Sequence, residues 1–183
     1  MKYYIMILLA FGLILGGCSK EQASEKPGQA ESKAASEPTL KEKRDAFLEY
    51  VNEEITKTSE LEMKAFVSLD SVTGNNYTDD QTMHDELVNT TIPAYEEAVS
   101  EAKKIEPKIK ELEPMKEQIV KATETFHEAL LMQKEAIEKQ DKDLIQQGNE
   151  KMMEYKSIID EYHAGMKELA KKLEVDYQPN AQQ

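Results

Sequence analysis

The chain has 183 residues and a formal net charge of −13, from 36 acidic and 23 basic residues. This excess of negative charge repels nucleic-acid phosphates and anionic lipid headgroups, which argues against nucleic-acid binding and against a domain lying flat on a membrane. The single cysteine excludes an intramolecular disulfide.

The first 17 residues are typical of an export signal. An apolar run of eleven residues ends at Leu15, whereas a membrane-spanning helix needs about 20. The small residues Gly16 and Gly17 follow, and Cys18 comes next. We therefore expect residues 1–17 to be a signal peptide that is removed before Cys18.

Leu15, Gly16, Gly17 and Cys18 resemble the lipobox of bacterial lipoproteins. The resemblance implies that a signal peptidase recognises the first three residues and that Cys18 carries a diacylglyceryl group. Two acyl chains anchor a protein stably, whereas one holds it only marginally. The implied location is the outer face of the cytoplasmic membrane, with the lipid as the only membrane contact. The alternative is a short membrane anchor with an incidental cysteine.

Residues 18–38 are expected to form a lipidated, disordered linker. After Cys18 this stretch consists mainly of small and polar residues, with Pro27, Gly28 and Pro38, and it contains no large aliphatic side chain. It cannot bury enough apolar surface to offset the entropy of ordering. Residues 178–183 are expected to be a disordered tail for the same reason.

Residues 39–177 are expected to form one helical domain. Thr39 and Glu42 have the spacing of a capping box, which predicts the start of the first helix. The apolar stripe of this helix is formed by Leu48, Val51, Ile55, Ala65, Leu69 and Val72.

The second helix is predicted to start at a capping box formed by Thr78 and Gln81. Pro93 falls inside its apolar pattern, so we expect a kink or short break there. The third helix is predicted to begin at either Pro107 or Pro114 and to end near Lys139.

The fourth helix, which Asp141 is expected to cap, has the most regular apolar pattern in the chain. Its seam alternates steps of three and four residues: Ile145, Gly148, Met152, Tyr155, Ile159, Tyr162, Met166, Leu169 and Leu173. Four such helices joined by short turns predict an all-α, antiparallel bundle. The strict heptads of this helix could also pair with a second copy of the chain.

Two carboxylate-x-x-histidine pairs, Glu124 with His127 and Asp160 with His163, suggest metal binding. Ferritin-like bundles use Glu-x-x-His pairs on inward faces as ligands. The heptad register instead places Glu124 and Asp160 outside the seam, so both acids are expected to face solvent.

His84 and His127 form another candidate metal pair. His84 lies 23 residues before Pro107 and His127 lies 20 after it, so the two could be level on neighbouring helices. The alternative is that both are exposed histidines beside glutamates on acidic helices.

Gly148, Tyr155 and Tyr162 mark a candidate cavity. A glycine in the seam leaves local space, and two tyrosines one and two heptads further on could line it with hydroxyl groups. The alternative is that the tyrosines are core side chains whose hydroxyls reach a partner or the surface.

We expect no enzymatic activity and no cofactor, because the chain contains no Gly-x-Ser-x-Gly, phosphate loop or His-Glu-x-x-His pattern. The signal, linker and Lys/Glu-rich helical body resemble the small all-helical lipoproteins of Gram-positive bacteria, including the family described as cell-wall-binding lipoproteins. The leading expectation is a helical interaction module that engages an envelope protein or polymer. The alternative is a small-ligand or metal carrier that uses the bundle interior.

Overall fold

The structure is a computed structural model that describes residues 37–179. The signal-peptidase residues Leu15, Gly16 and Gly17 lie outside the described residues, as do the lipidation site Cys18 and most of the linker. Residues 180–183 of the expected tail also lie outside them.

The first long helix consists of three consecutive segments. These are α1 (Leu40–Glu49), a π-helical turn (Tyr50–Glu54) and α2 (Ile55–Asp70). The capping box is confirmed, because the Thr39 hydroxyl accepts from the backbone of Glu42 and the Glu42 carboxylate accepts from the backbone of Thr39. Two orphan N–H groups at the helix start are thereby satisfied.

The second long helix is also interrupted by a π-helical turn. It consists of α3 (Asp80–Glu86), the turn (Leu87–Thr91) and α4 (Ile92–Lys104). Pro93 has no N–H to donate and its ring crowds the carbonyl four residues earlier, so regular α-helical bonding fails in the preceding turn. The irregularity predicted near Pro93 is therefore a π turn on its N-terminal side.

The predicted cap of the second helix is wrong by one residue. Asp79, and not Thr78, is the N-cap: its carboxylate accepts from the backbone N–H of Thr82 over 2.9 Å. Asp is at least as good a cap as Thr, and its charge favours the positive end of the helix dipole.

The third and fourth helices are uninterrupted. They are α5 (Glu113–Lys139), which has Pro114 in its first turn, and α6 (Lys142–Leu173). Of the two proposed starts for the third helix, the structure confirms Pro114. Asp141 caps α6 as predicted, accepting from two backbone N–H groups of its first turn.

The helices form the predicted all-α bundle, and residues 37–179 contain no strand. α5 packs along α6, α4 along α5, and α2 along α4, while α1 lies against α6. No helix in this part of the chain combines the length and the apolar character needed to cross a membrane.

The core has two parts along the bundle. One is centred on α1 and the end of α6 and includes Phe47, Leu112 and Met166. The other is centred on α2, α4 and the middle of α6 and includes Leu87 and Leu130. The surface between the two parts, on the side where α2 faces α6, carries the site described next.

Candidate functional site

A groove runs between the first helix and α6. It has a volume of about 430 Å³. Val51 and Ile55 line one wall, and Ile159 and Tyr162 line the opposite wall. The chain after α6, residues 176–179, forms a third side. The groove exists because α2 makes its close helix contact with α4, whereas α1 lies against α6.

Glu62 is the charged group built into this groove. Its side chain lines the groove although the residue is only 6% exposed. The Tyr95 hydroxyl donates to Glu62 Oε1 over 2.7 Å, and the Tyr155 hydroxyl donates to the same oxygen over 3.2 Å. Three helices, α2, α4 and α6, therefore meet at one carboxyl oxygen.

The position of Glu62 follows from the helical repeat of the first helix. The apolar stripe continues with steps of three and four through Thr58 and Glu62, and these are its two polar members. Both residues are buried, Thr58 at 1% exposure. Glu62 therefore points inward because its register requires it, although its chemistry favours solvent.

The environment of Glu62 is aromatic. Phe66, Tyr95, Phe126 and Tyr155 form a cluster with ring centroids 4.9–6.1 Å apart. Burial raises the pKa of Glu62, while the two tyrosine hydrogen bonds oppose that rise. Burial also raises the pKa of Tyr95, so its hydroxyl keeps its proton and remains a donor.

The other end of the groove is also lined with rings. Tyr177 packs edge-on against Phe47 with centroids 6.0 Å apart. Its hydroxyl shares a hydrogen bond of 2.8 Å with His163 Nδ1. Burial lowers the pKa of His163, which favours a neutral imidazole there. Burial raises the pKa of Tyr177 to about 12.

The segment after α6 is held over the groove by the only arginine in the chain. Arg44 Nε donates to the carbonyl oxygen of Leu173 over 2.6 Å. Its guanidinium also forms an ion pair with Glu174, which has a left-handed φ of 54° that ends α6. The chain therefore turns back toward α1, and Tyr177 reaches Phe47.

The structure separates the three predicted cavity residues. Tyr155 and Tyr162 line the groove, as the cavity hypothesis requires. Gly148 does not: a Cβ there would lie 3.4 Å from the carbonyl oxygen of Ala129. Gly148 therefore serves close packing of α6 on α5, and its predicted role in a cavity is wrong.

The structure does not bring His84 and His127 together. His84 Nε2 lies 3.0 Å from Glu138, whereas His127 Nε2 lies 3.6 Å from Glu96. Glu138 and His127 are eleven residues apart on α5, or about 16 Å along the helix axis. The expected pairing assumes that the third helix begins at Pro107, but α5 begins only at Glu113, so His127 lies nearer the start of the helix than that count requires.

The acids of the two carboxylate-x-x-histidine pairs face solvent as predicted. Glu124 and Asp160 are exposed, and each forms an ion pair with a lysine. Within residues 37–179, no group of three or more His, Cys, Asp or Glu side chains is placed to hold a metal ion.

Sequence reasoning missed Glu62, the central residue of this groove. The available signal was the break in the apolar stripe between Ile55 and Ala65, where the repeat falls on Thr58 and Glu62. A charged residue at a seam position marks a buried polar site because it needs partners there.

Comparisons of the chain with protein-family models, with curated proteins and with solved structures give no match. The groove and its carboxyl group are therefore the basis for the function proposed below.

Proposed function

We propose that this protein is a lipid-anchored binding protein of the bacterial cell envelope whose helical domain holds a small ligand in the groove between the first helix and α6. It acts without catalysing a reaction. Of the two occupants expected from the sequence, a macromolecular partner and a small ligand, the groove favours the small ligand.

The observation that carries this proposal is the buried carboxyl of Glu62 on the groove wall. A buried ionisable group without an ion-pair partner costs folding free energy. A carboxyl group buried in a concave surface among aliphatic and aromatic side chains is typical of a ligand site. The volume of about 430 Å³ suits a compact organic molecule.

The lipid anchor and the linker would together determine where the helical domain lies relative to the membrane. A diacylglyceryl group on Cys18 would hold the chain at the membrane, and residues 19–38 would let the acidic body stand away from the anionic surface. A tether of 20 residues has a root-mean-square span of roughly 25 Å. The groove would then be accessible to solutes outside the membrane.

Native mass spectrometry of the full chain tests this proposal. The protein is purified without denaturation, in detergent micelles, from the cells that make it. We expect a fraction of the molecules to carry a bound mass that Glu62→Gln loses and Glu60→Gln retains. Glu60 is an exposed carboxylate two residues earlier on α2, so it is a matched control. If every wild-type molecule has the mass of the covalent protein alone, with no bound ligand, the proposal is contradicted.

One observation favours a macromolecular partner as the second candidate. Leu48 and Met63 line the groove and are 41% and 46% exposed, and Val67, on the same helix but outside the groove lining, is 64% exposed. Exposed apolar side chains along one helix are typical of a surface that packs against another protein.

A pull-down with matched variants separates the two candidates. If a partner helix binds here, Val67→Glu loses an envelope protein that wild type recovers, and Met153→Glu on α6 does not. If the small-ligand proposal is correct, Val67→Glu keeps the bound mass that Glu62→Gln loses, because Val67 is not part of the groove lining.

A further inference from the structure

Glu62 has no cationic partner within the described part of the chain. Its only polar contacts there are the two tyrosine hydroxyls, both on Oε1, and no lysine, arginine or histidine lies within ion-pair distance. By contrast, many exposed glutamates pair with lysine, as Glu138 does with Lys134 over 2.8 Å. The buried Glu62 therefore has no counter-charge among the described residues.

The rest of the groove lining also lacks basic side chains. Lysine and arginine make up 23 of the 183 residues, yet neither type lines the groove within residues 37–179. Its ionisable lining groups are Glu62, Asp176, His163 and tyrosine hydroxyls. An anionic ligand would meet carboxyl groups and no compensating cation, so the lining disfavours it. The net charge of −13 attracts cations to the whole molecule.

Aromatic rings complete the lining. Tyr155 contacts Glu62, and Tyr162 lies seven residues further along α6, about 10 Å along the helix. Phe47 and Tyr177 close the far end. Aromatic rings attract organic cations through their negative faces, and this attraction strengthens where water is excluded.

We infer that the groove selects an organic cation, a quaternary or protonated amine, with Glu62 as its counter-ion and the aromatic side chains as its walls. This inference rests on the proposed function and names the chemical class of the ligand. The cationic head would sit at Glu62 and Tyr155, and the remainder of the ligand would extend past Ile159 toward Tyr162.

Calorimetric titration with choline tests the inference. The neutral comparison ligand is 3,3-dimethyl-1-butanol, which has the same shape but a carbon in place of the charged nitrogen. The full chain is reconstituted in phosphatidylglycerol vesicles, which contain no choline headgroup. We expect choline to bind and its neutral counterpart to bind at least about tenfold more weakly, since only the cation compensates the buried carboxylate.

Two variants assign the binding to the groove. Glu62→Gln keeps an oxygen that accepts from both tyrosines, so the helices can stay in place, but it removes the charge. We expect it to weaken choline binding by more than about tenfold, and Glu60→Gln to leave it unchanged. Circular dichroism of each variant verifies that the helices are intact.

The outcomes separate this inference from the function on which it rests. Equal affinity for choline and 3,3-dimethyl-1-butanol, or choline binding that Glu62→Gln leaves intact, would overturn the inference. So would the absence of choline binding. In each of these cases the proposed small-ligand function still depends on the native mass measurement, which uses no choline. If the native protein carries a bound mass but does not bind choline, the inference of a cationic ligand is wrong and the proposed small-ligand function stands.

Discussion

At the scale of single residues, Glu62 determines both the stability and the chemistry of the groove. Burial raises the pKa of its carboxyl above the ordinary glutamate value of 4.5. The groups that face it are the Tyr95 hydroxyl from α4 and the Tyr155 hydroxyl from α6, and neither is cationic. The ligand-free fold therefore carries an electrostatic cost at Glu62 at neutral pH.

That cost predicts a pH dependence of the free energy of unfolding. As pH rises above 4.5, the unfolded chain releases the Glu62 proton while the folded chain retains it, so the unfolded state binds fewer protons and stability falls. The loss continues until pH reaches the folded pKa. We expect Glu62→Gln to remove this contribution and to be more stable than wild type at pH 7.

Urea unfolding of both chains, followed by circular dichroism from pH 4.5 to pH 8, measures the difference. The stability of Glu62→Gln relative to wild type should grow with pH across this range. Two curves that stay parallel would mean that Glu62 has the same pKa in the folded and unfolded states.

Gly148 provides the second prediction at this scale. Its added Cβ would make contacts of 3.4 Å with Ala129 and Gln133, which α6 can accommodate. Gly148→Ala should therefore raise the free energy of unfolding by about 0.5–1 kcal/mol, the usual helix preference of Ala over Gly. Gly148→Leu should lower it by about 1–3 kcal/mol through overpacking.

Chemical denaturation of the two Gly148 variants checks this pair of outcomes. If Leu is tolerated as well as Ala, there is open space at Gly148, and the cavity expected there from the sequence would be restored.

At the scale of elements, caps could be predicted from the sequence because they depend on residues close together in the chain. Thr39 and Asp141 are N-caps as expected, and the error at Thr78 is a shift of one residue to Asp79. The helix irregularity before Pro93 could be predicted because a proline marks it in the sequence. The π turn at Tyr50–Glu54 could not, because no glycine or proline marks it.

The segment after α6 is the element whose role is most easily tested. Tyr177 packs on Phe47 and shares a hydrogen bond with His163. An aromatic pair contributes about 0.5–1.5 kcal/mol, which corresponds to a change of up to about tenfold in local opening. Tyr177→Ala should therefore increase amide hydrogen exchange in residues 175–178 by up to about tenfold.

Hydrogen exchange with mass spectrometry measures this effect, and Tyr177→Phe is the matched control. The control keeps the ring contact and loses only the hydroxyl, so its exchange should fall between those of wild type and Tyr177→Ala. Exchange in Tyr177→Ala equal to wild type would show that Tyr177 does not hold the segment in place.

At the scale of the whole molecule, the all-α bundle could be predicted because the apolar repeat runs through each helix. The groove could not, because it depends on how far α2 and α6 stand apart, and large side chains such as Phe66 and Tyr155 set that spacing across the core. Long-range packing of this kind leaves no pattern within any one helix.

Self-association stays a prediction that sedimentation of the full chain would test.

The lipid anchor is the whole-molecule prediction that stands on sequence alone. The mature wild-type chain should have a mass that begins at Cys18 and includes a diacylglyceryl group. Cys18→Ala should keep residues 1–17, because the peptidase acts before the modified cysteine. Intact mass spectrometry measures both species. A wild-type chain that retains its leader, or whose thiol reacts with maleimide, would contradict the anchor.

The most direct measurement of the central claim, that the groove at Glu62 is the binding site, is methyl NMR of the full chain during titration with the small-molecule fraction of the cell envelope. The account predicts that the methyl signals of Ile55 and Ile159, which line the groove, shift in wild type and stay in place in Glu62→Gln. The signals of Leu131, exposed on α5 and absent from the groove lining, should not move in either protein. Shifts confined to Leu131, or shifts of Ile55 and Ile159 that persist in Glu62→Gln, would contradict it.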